Sequence, residues 1–233
     1  MVNRLRVVGT LFVFNLIVAM PLHAQVFFDD FNDNSNTGWT YLDRSAGTTL
    51  APTIGGTGAP TPTAGLFAEQ NQQLEQTVTN YTFPDNGGPS LGGIALAPGT
   101  YEGPTLLLDM TSLEPGNGFQ DQDIVFGYQD EDNFFYVETI ASGGMNLFSV
   151  VDGVRAGRGG GGITFLDTAT SVQLEHNGII GNVKVTYDVG GAATVIDVTD
   201  PVFQLSGAFG VGVGSNNDAF AIDNFTVVSE LAP

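Results

Sequence analysis

The sequence contains no cysteine, and this absence removes several kinds of chemistry at once. Without thiols the chain has no disulfides, no thiolate zinc or iron–sulfur centre and no cysteine nucleophile. Basic residues are also scarce, because 6 Lys and Arg stand against 25 Asp and Glu, for a formal net charge of −19. Such an acidic chain lacks the basic face that neutralises phosphates, so nucleic-acid binding is excluded as a function.

The apolar content is nevertheless sufficient for a folded protein. Hydrophobic residues make up 42% of the sequence and aromatic residues 10%, which is enough to bury a core despite the high net charge. We therefore expect an acidic globular protein. With no disulfides available, a large core, a bound metal ion or both must hold it together.

Residues 1–24 have the composition of a secretory signal peptide. Arg4 and Arg6 precede Val7–Met20, an apolar run of 14 residues, and Pro21–Ala24 follows and ends in a small residue. The run is shorter than the roughly 20 residues that a helix needs to span a bilayer. We predict cleavage near Ala24, a secreted product (extracellular, or periplasmic in a Gram-negative cell) and no transmembrane span; an uncleaved membrane anchor is the alternative.

Residues 25–233 are predicted to form a single all-β domain. Short runs rich in Val, Ile, Phe, Tyr and Thr alternate with Gly, Pro, Asn and Asp, and amphipathic stretches of helical period are absent. This pattern favours an antiparallel β-sandwich or jelly roll. The predicted strands are Val26–Phe31, Thr105–Ser112, Asp123–Tyr128, Phe134–Ile140, Met145–Val151, Ser171–Glu175, Asn182–Val189, Thr194–Val198, Gly207–Val213 and Phe220–Val228.

Two stretches are predicted to be irregular. Ser45–Gly65 is rich in Thr, Gly, Ala and Pro, which favours an extended loop with edge-strand character. Arg155–Gly162 ends in four consecutive glycines. Because no Lys-Ser/Thr pair follows them, this run is not a phosphate-binding loop, and we expect a flexible hairpin tip instead.

Several stretches together resemble one known fold family. They are Phe27–Phe31 with Gly38-Trp39, Asp123–Val137, Asn146–Gly153, Asn182–Tyr187 and Gly207–Val228. In order and type, these strands and turns resemble the concanavalin A-like jelly roll, in its laminin G-like branch of extracellular bacterial domains. The resemblance implies two antiparallel sheets, one of them concave, and it implies sugar binding only as a common use of the fold.

No catalytic constellation is found in the sequence. Some glycoside hydrolases of this fold carry Glu-x-Asp-x-x-Glu on one strand, and no glutamate here has an aspartate two positions later. A serine triad needs a positioned histidine. His176 is the only histidine after residue 24, and we expect an exposed turn position for it. We therefore predict no catalytic residue; a hydrolase or lyase with a non-standard site, using carboxylates such as Glu138 or Asp132, is an alternative.

Aspartates near the two ends of the domain are candidate calcium ligands. Asp29 and Asp30 lie in the first predicted strand and Asp223 lies in the last. First and last strands often pair in jelly rolls, and Ca²⁺ takes six to eight oxygen ligands, so these three carboxylates are predicted to hold a structural Ca²⁺. Hydrogen bonding at the strand ends is an equally supported interpretation.

Aromatic residues near an acidic hairpin are candidate sugar ligands. Stacking on a pyranose needs an exposed ring beside amides or carboxylates, and this points to Trp39, Tyr128, Tyr136 and Glu138. For Trp39, a position in the core is the alternative. The predicted function is a secreted, non-catalytic and calcium-stabilised module that binds extracellular polysaccharide or cell-surface glycan, or mediates adhesion. A structural matrix protein that self-associates is the second hypothesis.

Overall fold

The computed structural model describes residues 25–33, 38–43, 53–55, 67–76, 93–101, 103–113, 122–140, 144–162, 170–213 and 220–229. These residues form 16 strands and a single 3-10 turn at Pro201–Phe203. The strands are β1 (Gln25–Asp29), β2 (Thr40–Asp43), β3 (Thr53–Gly55), β4 (Phe67–Gln70), β5 (Gln73–Gln76), β6 (Gly93–Leu96), β7 (Pro104–Ser112), β8 (Gln122–Asp130), β9 (Asn133–Ile140), β10 (Gly144–Val151), β11 (Val154–Gly162), β12 (Thr170–Asn177), β13 (Asn182–Val189), β14 (Ala192–Thr199), β15 (Ala208–Val213) and β16 (Phe220–Ser229).

The strands form two antiparallel sheets of eight strands each. Sheet I has the order β14-β13-β12-β7-β16-β5-β4, with β1 also paired to β16. Sheet II has the order β11-β10-β9-β8-β15-β6-β2-β3. The predicted all-β antiparallel sandwich is confirmed, and so is the pairing of the first strand with the last, in which Asp29 lies opposite Phe225.

The main core lies between the two sheets and is filled by alternating side chains. Leu106, Leu108 and Met110 of β7 belong to the same buried cluster as Ile124 and Phe126 of β8. The side chains between them in β7 point away from the core. This alternation gives each sheet an outer face, and the chemistry of those two outer faces differs.

The N-terminal part of the fold is anchored to β16 through an aromatic cluster. Trp39 is buried and packs edge-on against Phe27 at 5.8 Å and against Phe225 at 5.0 Å between ring centroids. Its indole Nε1 donates a 2.7 Å hydrogen bond to Asp29 Oδ2. Trp39 therefore occupies the core position that sequence analysis gave as the alternative to a sugar-binding role.

The glycine-rich stretch Arg155–Gly162 is not a flexible tip, and that prediction was wrong. It lies within β11, which pairs along its length with β10 and closes the edge of sheet II. The glycines have a packing reason, since a Cβ at Gly159 would lie 2.8 Å from Val198 Cγ2 of β14. Small residues thus let the edge strands of the two sheets approach, and Arg158 joins them through a 3.0 Å ion pair with Asp200.

His176 is buried, so the prediction of an exposed turn position was also wrong. It lies in β12 with 2% exposure, and its imidazole Nε2 is 2.7 Å from the carbonyl oxygen of Phe203. Its ring packs against Phe126 and Phe135, at 5.4 and 6.0 Å between centroids. The histidine thus connects β12 of sheet I, the 3-10 turn and sheet II.

Two sequence predictions fall wholly or mainly outside this description. The signal peptide at 1–24 lies outside the described residues, and of the Ser45–Gly65 stretch only 53–55 are described, as strand β3. Among the described residues there is no helix with the length and apolar composition needed to cross a membrane.

Candidate functional site

Sheet II buries side chains on both of its faces. Ile124 and Phe126 point into the main core, whereas Val125 between them belongs to a second buried cluster. The members of this cluster are Leu42, Ile94, Leu96, Val125, Phe134, Tyr136 and Val150, with Tyr128, Phe148 and Ala208 packed against it. The outer face of sheet II is therefore an apolar layer, which an ordinary solvated face of a sandwich would not carry.

A row of four aromatic rings runs across this outer face from β8 to β10. Tyr128 packs against Phe134 at 5.8 Å, and Phe134 packs against Tyr136 at 5.9 Å. Tyr136 then stacks on Phe148 with 5.1 Å between centroids and 23° between the ring planes. Tyr136 and Phe148 are cross-strand neighbours of β9 and β10, so the sheet register itself aligns them.

Arg155 of β11 lies over the end of this aromatic row. Its guanidinium carbon is 3.8 Å from the centroid of Phe148 and 5.7 Å from that of Tyr136. Its Nη2 is 3.4 Å from Glu138 Oε2, and the two side chains are 29% and 14% exposed. The guanidinium is thus held between a ring face and a carboxylate, and each contact favours its positive charge.

A polar row crosses the same face next to the aromatic row. Asp123 of β8, Glu138 of β9 and Asn146 of β10 are consecutive register partners. Asp123 is buried, whereas Glu138 and Asn146 are half-buried. Two carboxylates and one amide therefore lie side by side, and the two that are partly exposed, Glu138 and Asn146, can supply acceptors and donors for hydroxyl groups.

The sheet edge beside this row is bare backbone. Gly160 is the register partner of Asn146, and Gly157 is that of Phe148. Both glycines are exposed, and a Cβ at Gly160 would lie 2.9 Å from Asn146 Oδ1. Because these two residues have no side chains, the backbone of β11 is exposed next to Asn146 and Phe148, and we call this stretch the glycine shelf.

The structure brings together three of the four residues that sequence analysis proposed for sugar binding. Tyr128, Tyr136 and Glu138 share the outer face of sheet II, whereas Trp39 lies in the main core. Tyr136 is fully buried and Tyr128 half-buried, so neither presents a fully open stacking surface. Sequence analysis missed Arg155, Asn146 and Phe148; the signal that could have found the latter two is the continuous hairpin pattern of β9 and β10.

Two of the three proposed calcium ligands, Asp29 and Asp223, lie on opposite faces of sheet I, whereas Asp30 follows the end of β1 and accepts a hydrogen bond from the Asn32 amide. Asp29 lies opposite the core residue Phe225, and its Oδ1 accepts a 2.9 Å hydrogen bond from the Phe31 amide. Asp223 lies opposite Asp109, which alternates with the core residues of β7. Among the described residues no group of three or more His, Asp or Glu side chains is arranged to hold a metal ion. Calcium binding stays a prediction.

His176 is surrounded by core residues, and none of its described contacts is with an acidic side chain. Burial lowers its pKa, and the hydrogen bond to the Phe203 carbonyl opposes that shift in part. Its Nδ1 is buried and has no hydrogen-bond partner within the described part of the chain. Burial likewise raises the pKa of Tyr187, with a smaller contribution from the charge of Asp123. Both residues support the core.

Comparison with known proteins identifies the fold. No family model matches the sequence, and no curated protein matches it. Among solved structures, the chain is similar to carbohydrate-binding module CBM66 from Bacillus subtilis, with 18% identity over 83% of this chain and 96% of that one and a TM-score of 0.58. It is also similar to peanut lectin, with 11% identity over 91% of this chain and 100% of that one and a TM-score of 0.55.

A third similar structure is that of a GH43 protein from Bacillus licheniformis. The match has 13% identity and a TM-score of 0.57, and it covers 87% of this chain but only 39% of that protein. At such identities the likeness concerns the fold alone. The fold is a concanavalin A-like jelly roll, as the sequence resemblance implied. The laminin G-like branch stays an interpretation of the sequence.

Proposed function

We propose that the protein is a non-catalytic glycan-binding module whose site lies on the outer face of sheet II, at β9, β10 and β11. The observation that carries this proposal is the Arg155–Glu138 pair, which is stacked on Phe148 beside Asn146 and the glycine shelf. Glycan sites combine an apolar floor with a few fixed polar groups that orient hydroxyls. This arrangement has both parts.

The fold neighbours add independent support of a coarser kind. One is named a carbohydrate-binding module and another a lectin. These names are consistent with glycan binding. Because one fold hosts many functions, however, the proposal depends on the residues of the site itself. Extracellular polysaccharide or cell-surface glycan is the proposed partner, and adhesion is the proposed consequence of binding.

The proposal is tested by measuring retention in native gels that contain soluble polysaccharides, followed by titration calorimetry with any that bind. We expect Arg155→Ala to weaken binding at least tenfold, because the site loses its guanidinium donor (about 1.4 kcal/mol or more). Arg158→Ala is the matched control, since Arg158 lies on the same strand but bonds Ser149 and Asp200. Equal losses in both variants, or binding unaffected by either, would contradict the proposed site.

The positions of the acidic residues support a non-catalytic role. Asp132 lies in the β8–β9 turn, six residues before Glu138, which puts their Cα atoms about 20 Å apart at about 3.3 Å per residue. Glycosidase carboxylates lie roughly 5 to 9.5 Å apart. Asp123 is opposite Glu138 but buried. Hydrolysis or lyase activity on a polysaccharide panel, lost in Glu138→Gln, would overturn the non-catalytic proposal.

We also propose that the protein is secreted after cleavage of residues 1–24 and that it is stabilised by bound Ca²⁺. Cleavage near Ala24 is tested by N-terminal sequencing of the product recovered outside the cytoplasm. For calcium, we expect thermal stability to fall with EDTA and to recover with added Ca²⁺, since bound ligand stabilises by mass action. An unchanged melting temperature would remove calcium from the proposal without affecting the glycan site.

A self-associating structural protein is the second candidate, and one observation favours it. Across the outer face of sheet I, Phe28, Leu107 and Val195 lie in a single register row and are all exposed. Thr226, Gln173 and Thr186 lie between them in the same row, so the candidate contact surface is a mixed apolar and polar one. Concentration-dependent sedimentation that Leu107→Ser abolishes, together with no glycan binding, would favour this function instead.

A further inference from the structure

Glu138 neutralises the positive charge at the proposed glycan site. The described residues include three cations, and two of them serve elsewhere: Arg158 pairs with Asp200, and Lys184 pairs with Glu175 on sheet I. Arg155 is therefore the one cation that the described part of the chain places on the outer face of sheet II. Its 3.4 Å contact with Glu138 balances its charge within the site.

The surroundings of the pair add negative charge. Asp123, the register partner of Glu138, is a second carboxylate at the same position on the neighbouring strand. The whole chain carries a formal charge of −19. Because Glu138 and Arg155 are both less than one-third exposed, solvent screens these charges less than it would on an open surface. The Arg155–Glu138 pair therefore offers no net positive charge to an anionic ligand that approaches the shelf.

The aromatic rings offer little stacking surface to a ligand here. Phe134 and Tyr136 are fully buried, and the guanidinium of Arg155 already covers the face of Phe148 at 3.8 Å. A sugar on the glycine shelf would meet the guanidinium edge, the Glu138 carboxylate and the Asn146 amide. Recognition at this position therefore depends on hydrogen bonds to hydroxyl groups.

We propose that Glu138 determines the specificity of the site by restricting it to uncharged glycans. This inference rests on the proposed glycan-binding function. A free guanidinium forms a two-pronged ion pair with a carboxylate, as in a uronic acid. Glu138 contacts one arm of the guanidinium, Nη2, and its negative charge repels the ligand's carboxylate, while its remaining lone pairs accept hydrogen bonds from neutral hydroxyls.

The test compares Glu138→Gln with Glu175→Gln. Both substitutions remove one negative charge and one partner of an ion pair, but Glu175 lies on the outer face of the other sheet. Binding is measured by calorimetry at two salt concentrations, with dextran and galactan as neutral probes and polygalacturonate and alginate as anionic probes. Circular dichroism melts of each variant establish that it is folded.

We expect the wild-type protein to bind a neutral probe, with little dependence on salt, and to bind the anionic probes at least tenfold more weakly. Glu138→Gln should bind an anionic probe about tenfold more tightly than the wild type at low salt, because Arg155 is released. Glu175→Gln should resemble the wild type. Wild-type preference for an anionic probe, or equal gains in both variants, would overturn the specificity role while leaving glycan binding intact. Failure of the wild type to bind any probe would instead remove the proposed function.

Discussion

The outer faces of the two sheets carry similar ion pairs in different surroundings. On sheet I, Lys184 and Glu175 lie 3.0 Å apart with 39% and 41% of their side chains exposed. On sheet II, Arg155 and Glu138 lie 3.4 Å apart, but they are less exposed, and the guanidinium of Arg155 lies over the stacked rings of Tyr136 and Phe148. A binding site therefore requires a fixed, partly dehydrated floor beneath the charges as well as the charges themselves.

The apolar residues of the two faces show the same contrast. Phe28 on the outer face of sheet I is 56% exposed, whereas Phe134 and Tyr136 on the outer face of sheet II are fully buried. The strands differ accordingly in sequence. β12 and β13 alternate apolar and polar residues, whereas β8 and β9 contain continuous apolar runs. Continuous runs are typical of strands that are buried on both faces.

The largest expected effect comes from truncating one aromatic residue on each face. Tyr136→Ala should lower the free energy of unfolding by about 3–5 kcal/mol, since it removes a fully buried ring from a packed layer. Phe28→Ala should change it by no more than about 0.5 kcal/mol, as surface substitutions do. Urea unfolding measures both. Similar losses in the two variants would mean that the outer face of sheet I is also packed against something.

A second, smaller contrast concerns two glycines of β11. Gly159→Val should destabilise by about 1–3 kcal/mol, because its Cβ alone would approach Val198 Cγ2 to 2.8 Å. Gly157→Val should be nearly neutral, since the nearest atom to its Cβ is Phe148 Cε1 at 3.8 Å. Thermal melts of the two variants provide the measurement. If Gly159→Val melts no lower than Gly157→Val, then β14 does not approach β11 as described.

The pH dependence of stability tests His176, which joins the two sheets. Its pKa is lower in the folded than in the unfolded chain, so protonation favours unfolding. Its contribution is fully present above the unfolded pKa of about 6.5 and is lost as pH falls below that value, at no more than about 1.4 kcal/mol per pH unit. Urea unfolding between pH 7.5 and 5 should show this slope, and His176→Gln should flatten it. Equal slopes in the two proteins would contradict a buried neutral imidazole.

The fold was predictable from the strand pattern of the sequence, because most of that pattern consists of short-range features. Turn residues separate most of the long strands, so their positions follow from punctuation and apolar content alone. The short strands β2, β4, β5 and β6 were missed, because four residues carry too little pattern to distinguish a strand from a loop. His176 was misplaced even though it continues the inward alternation of Val172 and Leu174, because a lone polar residue before Asn-Gly favours a turn.

The candidate site was only partly predictable, because it depends on register between distant segments. Tyr136 and Glu138 were proposed from their place beside an acidic turn. Arg155 was not, since its glycine-rich segment has the composition of a loop, and only pairing with β10 places it over Phe148. Such pairing is a long-range property. Local composition therefore gave the wrong structure for the segment that completes the site.

The smallest expected effect is the difference in coupling energy between the two ion pairs. A double-mutant cycle on Glu175 and Lys184 should give a few tenths of a kcal/mol, because both side chains are well solvated. The cycle on Glu138 and Arg155 should give about 1 kcal/mol, since the rings hold the guanidinium in place and exclude part of the solvent. Repeating both cycles in 1 M salt sharpens the contrast, because screening should abolish the first coupling and leave most of the second. Equal couplings, or equal sensitivity to salt, would mean that the aromatic floor of sheet II does not set its ion pair apart.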